Sequence, residues 1–335
     1  MSMPRLKPSV SRTAAASLLP ILATVILVTA PQGAPPQSKK SPAQHSEKSH
    51  VDQSDDEHVK LHSDMVVVSV TVTDSAGQYA HGLTAGDFSV LEDNASQSLN
   101  TFFTEEAPFA AAVLIDMSGS MDYKFGLVRA AAASFVDHIR DDDQVAVYGF
   151  NNKVRKFQDF SNLRDISDYV WDAKAEDQTR LYDCVDEAIE ALAKREEKRR
   201  AVLLISDGCD TTSSKASMES VMKRAFAAGV TIFTVDLIDD TALLGSGSSA
   251  AELQRGRAEL KRFASESGGR YIHSPQGDKL EEAFTNVVDE LRNQYTLTYY
   301  SNNTRRDGRW RKIAVGVSRP GLVTRARKGY WAPKN

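Results

Sequence analysis

From Ala110 to Asn293 the chain alternates short, almost uninterrupted apolar runs with segments whose apolar residues recur every three to four positions. The runs are Ala111–Ile115, Val145–Phe150, Ala201–Ile205, Thr231–Leu237 and, more weakly, Arg270–His273. Helical patterns cover Lys124–Arg140, Leu163–Asp172, Leu181–Lys194, Ser217–Ala228, Ala251–Ser267 and Lys279–Asn293. A strand with one face in water alternates polar and apolar residues, so a strand apolar at nearly every position must be covered on both faces. Strands of that kind separated by helices form right-handed crossovers in a parallel sheet. The expected fold class is therefore α/β: a doubly wound, mostly parallel, Rossmann-type sheet. Gly229 lies between a helical pattern and the run from Thr231, where a helix ends on a left-handed glycine.

The flanks keep a different rhythm. Val66, Val68, Val70 and Val72 alternate with Val67, Ser69, Thr71 and Thr73, a period-two strand with one strongly apolar face. Turn residues at Asp74–Gly77 and Asp93-Asn94 set off short strands at Ser89–Glu92 and Leu99–Phe103. At the other end, Gln294–Tyr300 is β-rich, Arg309–Val317 places Ile313, Val315 and Val317 on one face, and Val323–Lys328 follows the Pro320-Gly321 turn. Each flank alone is too small to close a sandwich, whereas together they can. The α/β domain, residues 108–293, is thus expected to be inserted into a small composite β-sandwich built from residues 63–107 and 294–335.

Residues 1–30 read as a signal peptide or N-terminal anchor: Arg5, Lys7 and Arg12 precede an apolar stretch ending in Val28-Thr29-Ala30. Pro31 disfavours cleavage at that point, so membrane anchoring through this segment stays open beside removal. Either way the body of the protein is expected outside the cytoplasm: secreted, periplasmic or surface-associated. Residues 31–62, rich in Pro, Gln, Ser, Lys, Asp and His, read as a disordered linker. The spacing of His45, His50, His58 and His62 is too irregular for a metal tract.

The chemistry sits at Asp116-Met117-Ser118-Gly119-Ser120. Asp116 ends an apolar strand, and alternate residues of an extended segment point the same way, so Asp116, Ser118 and Ser120 can converge. A carboxylate and two hydroxyls are hard oxygen ligands suited to Mg²⁺ or Mn²⁺, with Ca²⁺ a less diagnostic fit. Asp207 lies just past the run Ala201–Ile205, and Thr179 lies in a loop opening the helix from Leu181. In open α/β sheets ligands gather outside the carboxyl ends of the strands where strand order reverses, and all three loops can reach that edge. The competing reading is that Ser118 and Thr179 cap helices while the aspartates satisfy loop amides.

With these residues in place, the segment from about Ala110 to Asn293 resembles a von Willebrand factor A domain with an intact metal-ion-dependent adhesion site, its three loops in the family's order. The resemblance implies that Asp116, Ser118, Ser120, Thr179 and Asp207 hold one divalent metal, some directly and some through water. It further implies that an Asp or Glu of a partner protein takes the remaining position. Ligand capture would then draw in the Asp207 loop and shift the helix Lys279–Asn293. The flanks resemble a bacterial subfamily of these proteins, through Gly82–Phe88 with Leu91-Glu92-Asp93, Leu291–Tyr295, Pro320-Gly321-Leu322 and Gly329–Pro333. Two positions depart from the family pattern: Gln178 stands where glycine is frequent, and Cys209 where an acidic residue is common. Neither removes a ligand.

A net charge of −4 over 335 residues gives no whole-chain reason to expect nucleic acid as a partner. Two cysteines, Cys184 and Cys209, exclude a disulfide framework and match no zinc pattern. They read as free thiols, with a bridge between them as the alternative. Gly245–Ala250 reads as a flexible loop, Asp141-Asp142-Asp143 as a solvated turn, and Arg305, Arg306, Arg309, Arg311 and Lys312 around Trp310 as outward-facing strand charges. No catalytic residue is assigned, since His138 and His273 have no nearby Ser or Cys in a hydrolase arrangement. The expected function is a metal-dependent protein-binding module of the adhesion type. The alternatives are a scaffold whose metal stiffens loops and a metal-assisted hydrolase.

Overall fold

In a computed structural model, residues 65–104, 107–163, 178–238, 240–243, 248–273 and 278–334 are described. The N-terminal segment, the linker, Gly245–Gly247 and nearly all of the helix expected at Leu163–Asp172 lie outside them. The elements, in chain order, are β1 (Met65–Thr73), β2 (Phe88–Glu92), β3 (Ala95–Gln97), β4 (Leu99–Phe103), β5 (Phe109–Asp116), α1 (Phe125–Asp137), β6 (Gln144–Phe150) and β7 (Val154–Ser161). They continue with α2 (Leu181–Ala193), β8 (Arg199–Ser206), α3 (Met218–Ala228), β9 (Val230–Asp236), α4 (Asp240–Leu243), α5 (Ser248–Ser267), β10 (Tyr271–His273) and α6 (Asp278–Arg292). The chain closes with β11 (Gln294–Tyr300), β12 (Trp310–Val317), β13 (Val323–Ala326) and β14 (Gly329–Trp331).

The central sheet has the order β10-β9-β8-β5-β6-β7 and is parallel except for β7. The unbroken apolar run of β5 follows from its position. Ala111, Val113 and Ile115 join a core formed with α1 and α6, while Ala110, Ala112 and Leu114 join a second core with α2, α3 and α5. Alternate residues therefore feed opposite layers, and no position faces water. Gly229 ends α3 at φ 65°, in the left-handed conformation the sequence called for. The edge strand β7 was not foreseen, because its sequence VRKFQDFS carries three charges; an edge strand with exposed positions tolerates them.

The two flanks form two four-stranded sheets, β13-β1-β11-β4 and β14-β12-β2-β3, packed as the composite sandwich. Val66, Val68, Val70 and Val72 point into its core with Val90, Leu297 and Ile313. There Phe88, Phe102 and Tyr295 pack with ring centroids 5.2–5.7 Å apart. The opposite face of β1 is covered at Ser69 and Thr71. Thr71 is buried, and its hydroxyl donates to Glu290 of α6 at 3.2 Å. Glu290, itself fully buried, also pairs with Arg270 at 2.7 Å and with Arg325 of β13.

The chain passes between sandwich and sheet twice, after β4 and after α6, and Arg199 grips both passages. Its guanidinium donates to the carbonyls of Thr104 and Ala107 (3.0 Å) on the way in. It donates to those of Leu291 (3.4 Å) and Arg292 (3.1 Å) on the way out. A buried guanidinium, always charged, is tolerable there because carbonyl oxygens and the C-terminal end of α6 surround it.

Two expectations are corrected. Arg311 does not point outward: it shares parity with Ile313, is 4% exposed and pairs with Asp307 at 2.9 Å. Asp143 is not solvated. It is buried and accepts hydrogen bonds from the amides of Phe109 (3.2 Å) and Arg140 (2.8 Å), which fastens the start of β5 to the turn before β6.

Replacing Arg199 with Met leaves several buried carbonyls without a donor, each worth about 1–3 kcal/mol. The expected result in urea titration is a loss of at least ~3 kcal/mol. A loss under ~1 kcal/mol would contradict the role given to this side chain.

Candidate metal centre

The reversal of strand order falls between β5 and β8: from β5 the chain moves to β6 on one side, and from β8 to β9 on the other. Asp116 is the last residue of β5, and Ser206 the last of β8, so Asp207 emerges beside Asp116 at the carboxyl edge. The chain leaving β5 stays tied to β6, the amide of Met117 donating to the carbonyl of Phe150 at 2.8 Å. Gly208 has φ +80° and packs against Gly256 of α5, where a Cβ would lie 2.2 Å from the Gly256 carbonyl oxygen. The turn after Asp207 thus needs glycine on conformational and steric grounds alike.

Four of the five sequence-derived residues form one hydrogen-bonded cluster. The Ser118 amide donates to Asp116 Oδ1 at 2.9 Å, and the Ser118 and Ser120 hydroxyls lie 3.0 Å apart. The Ser120 hydroxyl donates to Asp207 Oδ2 at 2.7 Å. The fifth, Thr179, is 3% exposed in the loop opening α2 and is joined to the Asp207 loop through its backbone. Its amide donates to Thr211 Oγ1 at 2.8 Å, and its carbonyl accepts from the amides of Thr211 and Thr212, both at 3.0 Å. Asp116 is fully buried, Ser118 and Asp207 nearly so, and Ser120 is exposed, so the cluster opens to solvent at Ser120.

Two supporting residues escaped the sequence reading. The Ser206 hydroxyl donates to Asp116 Oδ2 at 2.5 Å and accepts from the Gly208 amide at 2.8 Å, bridging the two aspartate loops. Its signal was a hydroxyl directly after the apolar run Ala201–Ile205. Asp183 accepts the amides of Ser214, Lys215 and Ala216 at 2.9–3.2 Å; burial works to raise its pKa, but these bonds and the Arg180 charge outweigh it and lower the pKa, and they tie the far end of the Asp207 loop to α2. Nothing in the sequence singled it out. Both cysteines are free; Cys184 is buried in α2, and burial with the Asp207 charge pushes the Cys209 thiol up to about 12.

The electrostatics are those of a site short of positive charge. Among the described residues neither Asp116 nor Asp207 has an ion pair with Lys, Arg or His. Burial, then the neighbouring Asp207 charge, pushes the Asp116 carboxyl up to about 7, against the pull of hydrogen bonds from Ser206 and Ser118. Among the described residues no group of three or more His, Cys, Asp or Glu side chains is placed to hold a metal ion. The donors offered here are two carboxylates and neutral hydroxyls, all oxygen, which fits a hard divalent cation and neutralises its charge.

A carboxyl held protonated to about pH 7 in the fold, but only to about pH 4 unfolded, makes folding bind a proton. In chelator, stability should therefore fall as pH rises from about 4 to about 7, by up to ~1.4 kcal/mol per unit. Asp116→Asn should flatten that slope in thermal melts across pH, and an unchanged slope would contradict the assignment.

Among solved structures, a von Willebrand factor type A protein from Catenulispora acidiphila aligns over 81% of this chain and 75% of its own, at 12% identity and a TM-score of 0.47. Proximal thread matrix protein 1 from the mussel byssus aligns over 60% of this chain at 21% identity and a TM-score of 0.45. That alignment covers 51% of the mussel protein, which has also been solved with a zinc-occupied MIDAS motif. An aerotolerance-related membrane protein from Bacteroides fragilis aligns over 55% of this chain and 98% of its own, at 15% identity and a TM-score of 0.40. No curated protein matches the sequence. The model of the von Willebrand factor type A domain matches residues 112–286, more than half of the chain, and spans every loop of the cluster described above. The chain belongs to the von Willebrand factor type A domain family.

Proposed function

We propose that this chain is an exported, non-enzymatic adhesion-type module that grips an Asp or Glu of a partner protein through one divalent cation. Asp116, Ser118, Ser120, Thr179 and Asp207 would hold the ion, Mg²⁺ or Mn²⁺ by preference, with Ca²⁺ a poorer match. The observation that carries the reading is the pair of buried carboxylates at the strand-order reversal, bridged by serine hydroxyls and lacking a basic partner among the described residues. A bound cation supplies positive charge and Lewis acidity at the rim.

The chain's own residues do the rest. Asp116 and Asp207 balance the charge, while Ser118, Ser120 and Thr179 contribute neutral oxygens. Ser206 orients the Asp116 carboxylate, and the exposed side of Ser120 is where a partner's carboxylate would approach. Because domains of this family commonly serve protein interaction, capture of a partner is favoured over turnover. The Asp207 loop is already fastened by Thr179 and Asp183 through backbone hydrogen bonds, which leaves a loop-stiffening metal little to do. Placement outside the cytoplasm rests on residues 1–30, which lie beyond the described residues.

Panning a random peptide display library on the full chain in Mg²⁺ should enrich peptides with an obligatory Asp or Glu. Their binding should fall at least tenfold in EDTA, in Asp116→Ala, and when that acid becomes Asn or Gln. Enriched peptides indifferent to all three changes would refute the proposal. Ser120→Ala removes one neutral oxygen and leaves both carboxylates, so it should weaken Mn²⁺ binding in calorimetry without abolishing it. Complete loss with an intact fold would mean that charge is not the main holding force.

A further inference from the structure

We propose that the corner formed by β12, β14 and the C-terminal half of α5 binds an anionic polysaccharide, independently of the metal centre. The place is an open cleft of about 440 Å³ lined by Arg262, Glu266, Trp310, Lys312, Lys328 and Trp331, with Ile313 at its apolar floor. Trp310 is 36% exposed, a large apolar side chain left at the surface.

The indole is held, not loose. Trp310 and Trp331 meet edge to face with centroids 4.5 Å apart, and Phe226 of α3 packs against them at 5.3 and 5.5 Å. Gly329 permits this: a Cβ there would lie 2.5 and 2.7 Å from Trp310 indole carbons. A rigid aromatic surface loses little conformational entropy on binding, which is why Trp dominates recognition sites.

The charges around it are set apart by their pairing. Arg262 is neutralised by Glu266 at 2.9 Å, and Lys223, 5.6 Å from the Trp331 ring, by Glu219 at 2.8 Å. Lys312 and Lys328 are exposed and have no ion pair among the described residues. Lys312 sits two positions from Trp310 on the outward side of β12, and Lys328 immediately precedes Gly329 of β14, across from it. A chain of net charge −4 thus presents a local pair of ammonium groups beside an indole.

A pyranose ring offers an apolar C–H face to an indole, and a uronate or sulfate on the same ring offers an anion to an ammonium. A shallow, open cleft suits such a flat, amphipathic ring better than a protein anchor, which needs a deep apolar pocket. Nucleic acid would ask for a longer basic track and several stacking rings.

The test is affinity electrophoresis and tryptophan fluorescence of the full chain with polygalacturonate, with dextran as the neutral control. Poly(dT) serves as the nucleic-acid control, and EDTA is present throughout so that the metal centre plays no part. Polygalacturonate should retard the chain and perturb its fluorescence, dextran should not, and poly(dT) should bind at least tenfold more weakly. Trp310→Ala should lower affinity at least tenfold; should that variant fail to fold by circular dichroism, Lys312→Gln with Lys328→Gln must do so instead. Absence of retardation, equal binding to poly(dT), or binding untouched in a folded variant would overturn the proposal.

Discussion

Two carboxylates at the rim of a buried sheet, Asp116 and Asp207, are held side by side through a relay of serine hydroxyls. Like charges so placed repel, and burial raises the cost of each. The fold accepts that cost at the carboxyl edge between β5 and β8, where the sheet's strand order reverses. Much of the surrounding structure can be understood as fixing these two groups in an arrangement they would otherwise leave.

The fixing comes from two directions. Beneath the rim, β5 is apolar at every position but its last and feeds two helical layers, so its end point is set by packing. Around the rim, hydrogen bonds to backbone amides join Thr179 to Thr211 and Thr212 and Asp183 to three successive amides, and Gly208 packs closely on Gly256. At the opposite end of the sheet, Arg199 of β8 fastens both chain passages to the central sheet, and Glu290 locks α6 to β1 and β13. The helix α6 therefore runs straight into a strand of the sandwich, with Asn293 alone between them. Any displacement of α6 would have to be shared by β11.

Most of the architecture was legible because hydrophobic periodicity reports burial directly. The unbroken runs marked the central strands, alternation marked β1 and β12, and Gly229 marked the end of α3. What stayed hidden depended on partners distant in sequence. The edge strand β7 looks like a charged loop until β6 is there to pair with it. Arg311 reads as one of several surface charges, and only the parity it shares with Ile313 betrays its burial. Asp143 reads as one of three equivalent acids, yet the geometry of the turn selects it alone to hold the start of β5. At the site, the spacing of Asp116, Ser118 and Ser120 brought those three together in advance, and the positions of Thr179 and Asp207 at helix start and strand end placed their loops. Ser206 and Asp183 were missed because their roles are to orient other groups, and such roles leave no spacing signature.

The account turns on a cation completing this cluster, and the most direct measurement is anomalous diffraction from crystals of the chain grown with Mn²⁺. One anomalous peak is expected, enclosed by oxygens of Asp116, Ser118, Ser120, Thr179 and Asp207, with the closest at the ~2.0–2.2 Å distances of small hard cations. Full-occupancy manganese elsewhere on the chain, with none between Asp116 and Asp207, would contradict it.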